Sequence, residues 1–399
     1  MKIAFRALPI NITILFLSSL NQILGQDIIA EQKDISDVYQ TIFKIKSKPD
    51  TITKHGLGPF YTPVIYPGYA LVTGALIGLV NSVSFYTNNG ENAKISTIVV
   101  DNVYTQYKQS INVIRSNVWL NHEKINLLGD WRIYRFPTNT YGLGSKTTLG
   151  DANAVDYSQL RIYEVVLRQI SQSIFMGIGY SYDRHWNIKE TNYSAQHLTD
   201  LDNYRLSDKS VSSGVSFNFQ FDNRLNSNNP DGGSYANVQI RDNLTFLGSD
   251  SNWSSAVFDF RHYINLSKIR RSILTFWSYN VLTLNGKPPY FDLPTTGGDT
   301  FNNTARGYAE GRFKGLNLLY FETEYRFDFI KSGILGGVLF TNISSLSEQA
   351  SGQFQQVNGA YGMGLRIKLN KKANTNFVID YGIGTAGSKG FSFALNEMF

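Results

Sequence analysis

The feature that most constrains the fold is an alternation of apolar and polar residues with a period of two, carried by segments of about ten residues or more. It recurs in YGMGLRIKL and in FVIDYGIG. One face of each segment suits lipid and the other suits water, and the length suffices to cross a bilayer at a tilt. In YFETEYRFDF one face carries Phe321, Thr323, Tyr325, Phe327 and Phe329, and the other carries Tyr320, Glu322, Glu324, Arg326 and Asp328.

Such segments predict sixteen strands, and an even number is what a closed single-chain barrel prefers. Closure is required because an open sheet edge in hydrocarbon would leave backbone groups unpaired. We therefore predict an all-β fold, a 16-stranded antiparallel transmembrane β-barrel with a short N-terminal helix. The strands are expected near residues 95–106, 110–121, 125–135, 157–169, 172–184, 209–222, 234–247, 253–266, 272–284, 316–329, 333–342, 358–369, 375–385 and 390–399, with two more between 60 and 86.

The lengths of the connections support the same fold independently of hydropathy. Four long connections, over residues 136–156, 185–208, 285–315 and 343–357, all fall at one end of the barrel by strand parity. Outer-membrane barrels distribute long outside loops and short periplasmic turns in this way.

Composition agrees with an exported barrel. The chain contains no cysteine, so neither a disulfide framework nor a lipid-anchoring cysteine is available. Aromatic residues make up 14% of the chain, yet the mean hydropathy is only −0.21, which suits strands with one apolar and one polar face. The net charge of +6 comes from scattered lysines and arginines, so nucleic-acid binding is not expected.

The chain begins with Lys2 and Arg6, followed by an apolar run over residues 7–20. This pattern predicts a secretory signal peptide over residues 1–25. The run is too short to span a bilayer as a helix.

Residues 26–58 are predicted to form a short periplasmic lead-in, and residues 59–399 the transmembrane β-barrel. One amphipathic helix is expected in the lead-in behind an Asp34 cap. It is interpreted either as a structural plug or collar or as a partner-binding helix. The apolar positions at helical spacing are Ile35, Val38, Ile42 and Ile45.

No segment predicts a catalytic, metal or cofactor site. The segment GLGSKT, residues 142–147, superficially resembles a phosphate-binding loop, but Ser145 breaks the required Gly-Lys adjacency. The five histidines lack a two-His helical zinc spacing and a cysteine partner. Asp183 and His185 would suit a hydrolase, but no Gly-x-Ser-x-Gly elbow supplies a nucleophile. We therefore expect no enzyme activity and no cofactor.

A different signal lies in the loop segment TARGYAEGRFKG, which precedes an acidic and aromatic strand. It places Arg306 on the hinge residue Gly307, beside the aromatic Tyr308. Two placements are open on physical grounds. The guanidinium either stays in solvent or folds inward and pairs with the acidic lumen face that Glu322 and Glu324 create.

Three segments match motifs of one family of barrels. RGYAEGRF resembles its Arg-Gly-Tyr loop, FDNRLNSNNPDGGSY its Asp-x-Arg … Asn-Pro-x-x-Gly turn, and GFSFALNEMF its aromatic-terminated strand recognition signal. Over roughly residues 60–399 the chain therefore resembles the bacterial surface antigen family, the BamA and TamA outer-membrane assembly barrel superfamily. The matching positions are Arg306, Gly307, Tyr308, Gly311 and Phe313; Asp222, Arg224, Asn229, Pro230 and Gly233; and Phe391, Phe393, Leu395 and Phe399.

In that family the Arg-Gly-Tyr loop folds into the lumen, so the resemblance implies a loop lock formed by Arg306, Gly307 and Tyr308. The family's arginine pairs with the acid of a Phe-x-Asp-x-Gly strand motif, whereas the matching segment FTNIS has Asn342 in the place of that acid. An asparagine can still accept a hydrogen bond from the arginine. The candidate partners of the loop are Glu322, Glu324 and Asn342.

The family's assembly factors carry periplasmic POTRA domains, and residues 27–56 are too few to hold one. The resemblance thus implies a short member lacking POTRA domains, in the bacterial outer membrane, that acts in outer-membrane protein assembly or translocation. The alternative is a passive or gated pore for small solutes. Outer-membrane lipid and lipopolysaccharide are the expected surroundings, while a periplasmic partner, a client protein and a second copy of the chain stay open as partners.

Overall fold

The computed structural model describes residues 32–42, 58–70, 72–88, 93–190, 204, 208–224, 226–227, 229–267, 270–348, 351–371 and 374–399. The signal peptide that we expect over residues 1–25 lies outside the described residues, as does Ile45 of the expected helix.

Sixteen long antiparallel strands form one nearly closed barrel, which confirms the predicted fold class. Each long strand pairs with the next along the chain, and a short extra strand, β6, pairs with the beginning of β7. The strands are β1 (Phe60–Ala70), β2 (Gly74–Phe85), β3 (Ser96–Thr105), β4 (Ser110–Leu120), β5 (Ile125–Arg135), β6 (Thr138–Thr140), β7 (Asn153–Ser171), β8 (Ile174–Glu190), β9 (Lys209–Asp222), β10 (Gly233–Asn243), β11 (Trp253–Asn265), β12 (Ser272–Gly286), β13 (Asn317–Asp328), β14 (Leu335–Leu346), β15 (Asn358–Asn370), β16 (Thr375–Gly384) and β17 (Lys389–Leu395).

The period-two pattern separates the two faces of the wall. On β13 the side chains of Glu322, Glu324 and Arg326 are buried on the lumen side, whereas Phe321 and Tyr325 are exposed on the outer side. An outer face of exposed aromatic and aliphatic residues is what a lipid-facing barrel surface requires.

The first and last strands meet at a seam formed by β1 and β17. The ring of Tyr66 on β1 stacks on Phe393 of β17 with centroids 6.1 Å apart, and it lies 6.3 Å from the ring of Phe377 on β16. Gly68 lies against the same Phe393 ring, since a Cβ at Gly68 would come within 3.1 Å of it. Aromatic side chains therefore pack across this seam.

The connections divide the barrel into two ends. One end, here called the long-loop end, carries the connection between β12 and β13 and the loop between β5 and β7; the other is called the short-turn end. Single-turn 3₁₀ helices lie at Leu149–Asp151, Thr245–Leu247, Tyr290–Asp292, Asn303–Ala305 and Thr385–Gly387.

Helix α1 (Ile35–Ile42) docks at the short-turn end. Asp34 caps it, because Asp34 Oδ1 accepts from the amide of Asp37 (3.2 Å) and Asp37 Oδ2 accepts from the amide of Asp34 (2.9 Å). Lys371 Nζ pairs with Asp37 at 2.7 Å, and the amide of Lys33 donates to the carbonyl of Ser332 at 2.8 Å. No helix among the described residues has the length and apolar character to cross a membrane.

Candidate lumen-loop site

The connection between β12 and β13, residues 287–316, is called the lumen loop. It builds its own hairpin-like base: the amide of Thr296 donates to Phe313 O, and the amide of Gly311 donates to Thr296 O, both at 2.9 Å. Asp299 organises the tip, since its carboxylate accepts from the amides of Asn303 (3.1 Å) and Thr304 (2.8 Å). The loop is therefore an ordered element rather than a solvated connection.

The tip of the lumen loop reaches the far wall of the barrel. Arg132 on β5 donates from Nη2 to Thr300 O at 2.6 Å and from Nη1 to Asn302 Oδ1 at 3.1 Å. Asp130, also on β5, holds this guanidinium with two bonds of 2.7 Å, the bidentate geometry that suits a fixed anchor. Since the loop leaves from β12 and β13, it spans the lumen.

Arg306 attaches the lumen loop to the other side of the barrel wall, opposite the contact with Arg132. Its side chain is only 1% exposed. Nη1 donates to both Glu322 and Glu324 on β13, and Nη2 donates to Asp380 Oδ2 on β16 at 2.8 Å. The guanidinium also lies over the ring of Phe340, 3.7 Å from its centroid. A buried guanidinium is costly unless paired, and three carboxylates with an aromatic face supply that pairing.

Asn342 joins the site in a different role from the expected one. Its Nδ2 donates to the backbone carbonyl of Arg306 at 3.1 Å and to Glu322 Oε2 at 3.3 Å. It is therefore a donor to the loop backbone, whereas we expected it to accept from the guanidinium. Donation is favoured because the guanidinium already donates to carboxylates, while the carbonyl of Arg306 and Glu322 Oε2 can each accept a hydrogen bond from the amide.

Gly307 allows the loop to press against the wall. Its φ of +89° lies in the left-handed region, and a Cβ there would stand 2.5 Å from the Cβ of Ala360 on β15. Opposite it, a Cβ at Gly382 on β16 would come within 2.6 Å of the Gly307 nitrogen. Main chain thus packs directly on main chain at this point.

Tyr308 fixes the loop to the long-loop ends of β15 and β16. Its hydroxyl donates to Gly359 O at 2.5 Å and accepts from the amide of Thr385 at 3.1 Å. Its ring meets Phe313 edge-on, with centroids 5.5 Å apart. The three residues Arg306, Gly307 and Tyr308 therefore contact the same stretch of wall, each by a different interaction.

Sequence reasoning missed Asp380 as a partner. Asp380 lies in the segment FVIDYGIG, whose alternation places it on the polar face, opposite Ile379 and Tyr381, and this was the available signal. Space for it depends on Gly364 of the neighbouring strand, because a Cβ at Gly364 would stand 1.7 Å from Asp380 Oδ1. Asp380 also accepts from Arg366 on β15, so the site continues into a larger buried ion network.

The expected strand recognition signal is divided. Phe391, Phe393 and Leu395 lie on β17, but β17 ends at Leu395 and not near residue 399 as the pattern predicted. Asn396 has a φ of +71°, and the chain turns there into the lumen. Phe399 is 2% exposed and stacks on Trp277 of β12 at 4.9 Å. Buried arginines inside the lumen form ion pairs with the carboxylate of Glu397, and these ion pairs explain the inward turn.

The turn motif lies at the short-turn end, where Arg224 Nε donates to Asp222 Oδ1 at 3.0 Å. Asn229 is buried and exchanges hydrogen bonds with Asn374 at 3.2 Å, and it also accepts from Arg271. The connection between β9 and β10 thus reaches the turn between β15 and β16.

Two segments weighed for other chemistry have structural contacts. In GLGSKT, Ser145 Oγ accepts from the amide of Leu346 at 2.6 Å, and Ser145 O accepts from Asn358 at 3.0 Å, so the segment lies against the long-loop ends of β14 and β15. The amide of Gly144 donates to Lys314 O, at the base of the lumen loop, at 2.7 Å. Asp183 is held by Arg161 (2.8 Å) and Arg241 (3.0 Å). Within the described part of the chain, no group of His, Asp or Glu side chains could hold a metal ion.

Comparison with protein families matches residues 86–399 to a domain described as the Omp85 superfamily domain. Among solved structures, BamA from Haemophilus ducreyi lacking POTRA domains 1–3 is similar, with 13% identity and a TM-score of 0.52 over 85% of this chain and 70% of that one. CdiB from Acinetobacter baumannii has 12% identity and a TM-score of 0.54 over 84% of this chain and 59% of that one.

CdiB from Escherichia coli has 10% identity and a TM-score of 0.54, over 85% of this chain and 62% of its own. The chain therefore spans about three fifths of each CdiB chain. At these identities the likeness shows a shared fold. A comparison with curated proteins found no match.

Proposed function

Because the chain belongs to the Omp85 superfamily, a family of outer-membrane barrels, we propose that it acts in the assembly or translocation of other proteins at the outer membrane. The long-loop end would face the outside and the short-turn end the periplasm. Residues 1–25 would be the signal peptide and residues 26–58 a periplasmic lead-in. The proposed action is non-covalent and needs no cofactor.

The observation that carries the proposal is the burial of Arg306 among carboxylates from β13 and β16. With Arg132 holding the tip from β5, the loop is fixed at both walls of the lumen. A loop so held obstructs free diffusion through the barrel and ties its two walls together. This supports a function in which the wall and its seam act, rather than an open channel.

The seam is the second element of the proposed mechanism. Aromatic packing of Tyr66 on Phe393 joins β1 to β17. Separating strands joined by side-chain packing of this kind costs less free energy than breaking a continuous ladder of backbone hydrogen bonds. Separation there would expose strand edges to which a client strand could add by β-augmentation. The proposed partners are a client protein or a periplasmic protein, with outer-membrane lipid and lipopolysaccharide around the barrel.

Depletion of the protein followed by quantification of the outer-membrane proteome tests this function. We expect the level of at least one barrel protein or secreted client to fall. Wild-type protein should restore it, whereas Arg306→Gln should not. Arg135→Gln, which alters an exposed arginine on β5, is the matched control and should restore it. An outer-membrane proteome that is unchanged under depletion would contradict the proposal.

A gated pore for small solutes is the alternative, and the charged lumen face favours it. Buried side chains such as Glu322, Arg326 and Arg366 would line a polar path if the loop moved aside. Single-channel recording in a planar bilayer distinguishes the two functions. Conductance that rises on removal of residues 290–312 would support the pore, and a barrel that stays silent in both forms would argue against it.

A further inference from the structure

The four residues after β17 form a docked segment, here called the inward segment, residues 396–399. Asn396 still donates its amide to Asn376 O at 2.9 Å, and beyond it the chain enters the lumen. Met398 is 3% exposed and Phe399 is 2% exposed. The segment is therefore held by contacts with the lumen wall and the lumen loop rather than by strand pairing.

The wall holds the acidic residue of the segment with several cationic groups. Arg366 Nε and Asn376 Nδ2 each donate to the Glu397 carboxylate at 2.8 Å. Arg271 and Arg326 stand 3.8 and 3.9 Å away. Among the described residues, Arg326 Nη1 and Arg366 Nη2 find no hydrogen-bond partner although both atoms are buried. These side chains of Arg271, Arg326, Arg366 and Asn376 form the cationic half of a surface on the lumen wall, here called the groove. The groove thus has unused hydrogen-bond donors for an anion.

The other half of the groove is aromatic, is formed by Trp277 and Tyr263, and lies beside the cationic half. The Phe399 ring stacks on Trp277 with an interplanar angle of 29°, and the ring of Tyr263 lies 6.5 Å away. Arg326 joins the two halves, because its Nη2 donates to the main-chain oxygen of Phe399 at 3.0 Å and its guanidinium lies 5.2 Å from the ring centroid. The groove therefore matches a carboxylate followed two residues later by an aromatic ring.

The segment also touches the tip of the lumen loop. Asn303 Nδ2 donates to Met398 O. A second connection runs through charge: Arg326 binds Glu324 at 2.6 Å, and Glu324 accepts from Arg306. Occupancy of the groove and the position of the loop therefore share both a direct contact and an ion network.

We propose that the lumen wall carries a peptide-binding groove for an acidic residue followed at the second position by an aromatic residue, and that residues 397–399 of the same chain occupy it and clamp the loop tip. The groove and its ligand are separable, since the wall strands end at Leu395 and are complete without residues 396–399. This inference does not depend on the proposed function in assembly or translocation.

Cysteine labelling tests the docking in the intact chain, which contains no cysteine of its own. In detergent-solubilised protein, Met398→Cys should react with a maleimide at least tenfold more slowly than Lys389→Cys, an exposed reference site. Adding Glu397→Gln should raise the Met398→Cys rate at least fivefold, whereas adding the control Asp208→Asn, at an exposed acid, should not. Equal rates at residues 398 and 389 would overturn the docking.

A peptide added in trans tests the groove itself. A chain ending at Leu395 should bind a fluorescein-labelled peptide of sequence ALNEMF saturably, as measured by fluorescence anisotropy. Replacing the peptide's glutamate by glutamine, or Arg366 of the barrel by glutamine, should weaken binding at least tenfold. If the shortened chain does not fold, the full chain with Glu397→Gln and Phe399→Ala replaces it as the emptied groove. Absence of saturable binding to a folded, emptied barrel would overturn the proposal.

The clamp has its own readout. Thr304, beside Asn303 at the loop tip, is buried, so Thr304→Cys should be protected in the wild-type background, and it leaves the bond from Asn303 to Met398 O in place. Emptying the groove with Glu397→Gln and Phe399→Ala should raise its labelling rate at least fivefold, and the trans peptide should reverse that gain. An unchanged rate at residue 304 would show that the segment does not hold the loop.

Discussion

Arg306 and Asp380 stand 74 positions apart in the chain, yet Arg306 Nη2 donates a 2.8 Å hydrogen bond to Asp380 Oδ2. The wall position where the resemblance led us to expect an acid holds Asn342, which bonds instead to the loop backbone. The acid that completes the pairing of Arg306 therefore lies two strands further around the barrel, on β16 instead of β14.

An acid placed on β14 at residue 342 should partly compensate for the loss of Asp380 on β16. Asp380→Asn removes an acceptor from Arg306 and from Arg366, and breaking a buried pair costs about 3 kcal/mol. Asn342→Asp alone adds a charge beside Glu322 and should also destabilise. The double variant keeps the number of acids, so the two changes should couple favourably by about 1 kcal/mol. Urea unfolding of all four proteins in liposomes gives the coupling, and simple additivity would contradict it.

Two glycines of the lumen loop separate steric fit from backbone strain. Gly307 and Gly311 have similar left-handed φ values, +89° and +77°, but no atom of the residues that the structure describes lies within 4 Å of a Cβ at Gly311. Gly311→Ala should cost only the strain, about 1 kcal/mol. Gly307→Ala should cost about 2 kcal/mol more, because its Cβ meets Ala360.

Unfolding free energies measured in urea for the two glycine variants check this prediction. Labelling of Thr304→Cys in each background shows whether the loop has left the wall, and we expect release only with Gly307→Ala. Equal effects of the two changes would mean that close packing at Gly307 does not hold the loop.

The hydroxyl of Tyr308 should contribute measurably to stability. Tyr308→Phe leaves the partly buried acceptor Gly359 O and the amide of Thr385 without this partner, a loss of about 1 kcal/mol. Tyr361→Phe, on the exposed face of β15, is the matched control and should change the unfolding free energy by less than about 0.5 kcal/mol. If both variants unfold at the wild-type urea concentration, the Tyr308 hydroxyl does not anchor the loop.

Docking of α1 should depend on pH. Partial burial opposes ionisation of Asp37, but the hydrogen bonds from Lys371 and from the backbone at Asp34 outweigh it and hold its pKa below 3.8. Because the folded pKa is lowered, this contribution to docking is fully present above pH 3.8 and is lost as the pH falls through the lowered value.

Anisotropy of a fluorophore on Ser36→Cys reports the docking of α1. It should fall with a midpoint below pH 3.8, and Asp37→Asn should remove this transition. A fluorophore on Lys389→Cys controls for changes of the barrel itself. A midpoint above pH 3.8, or one that survives Asp37→Asn, would show that another group controls the docking.

The positions of many strands in the barrel wall can be predicted from the local alternation of apolar and polar residues. The expected strand at residues 125–135 coincides with β5, and the two strands expected between residues 60 and 86 are β1 and β2. This succeeds because the face on which each side chain lies depends only on its position within its own strand. At β17 the same rule continued the strand past Leu395, since periodicity does not register the arginines inside the lumen that attract Glu397.

The sequence by itself determined the barrel, because membrane-crossing strands must hide every backbone polar group and present one apolar face, and both demands appear as a period of two. It also marked the loop with Arg306, Gly307 and Tyr308. Only the tertiary structure decided which charges meet. The choice of Asp380 depends on the curvature of the wall and on the space left by Gly364, and curvature brings together residues whose separation along the chain carries no periodic signal.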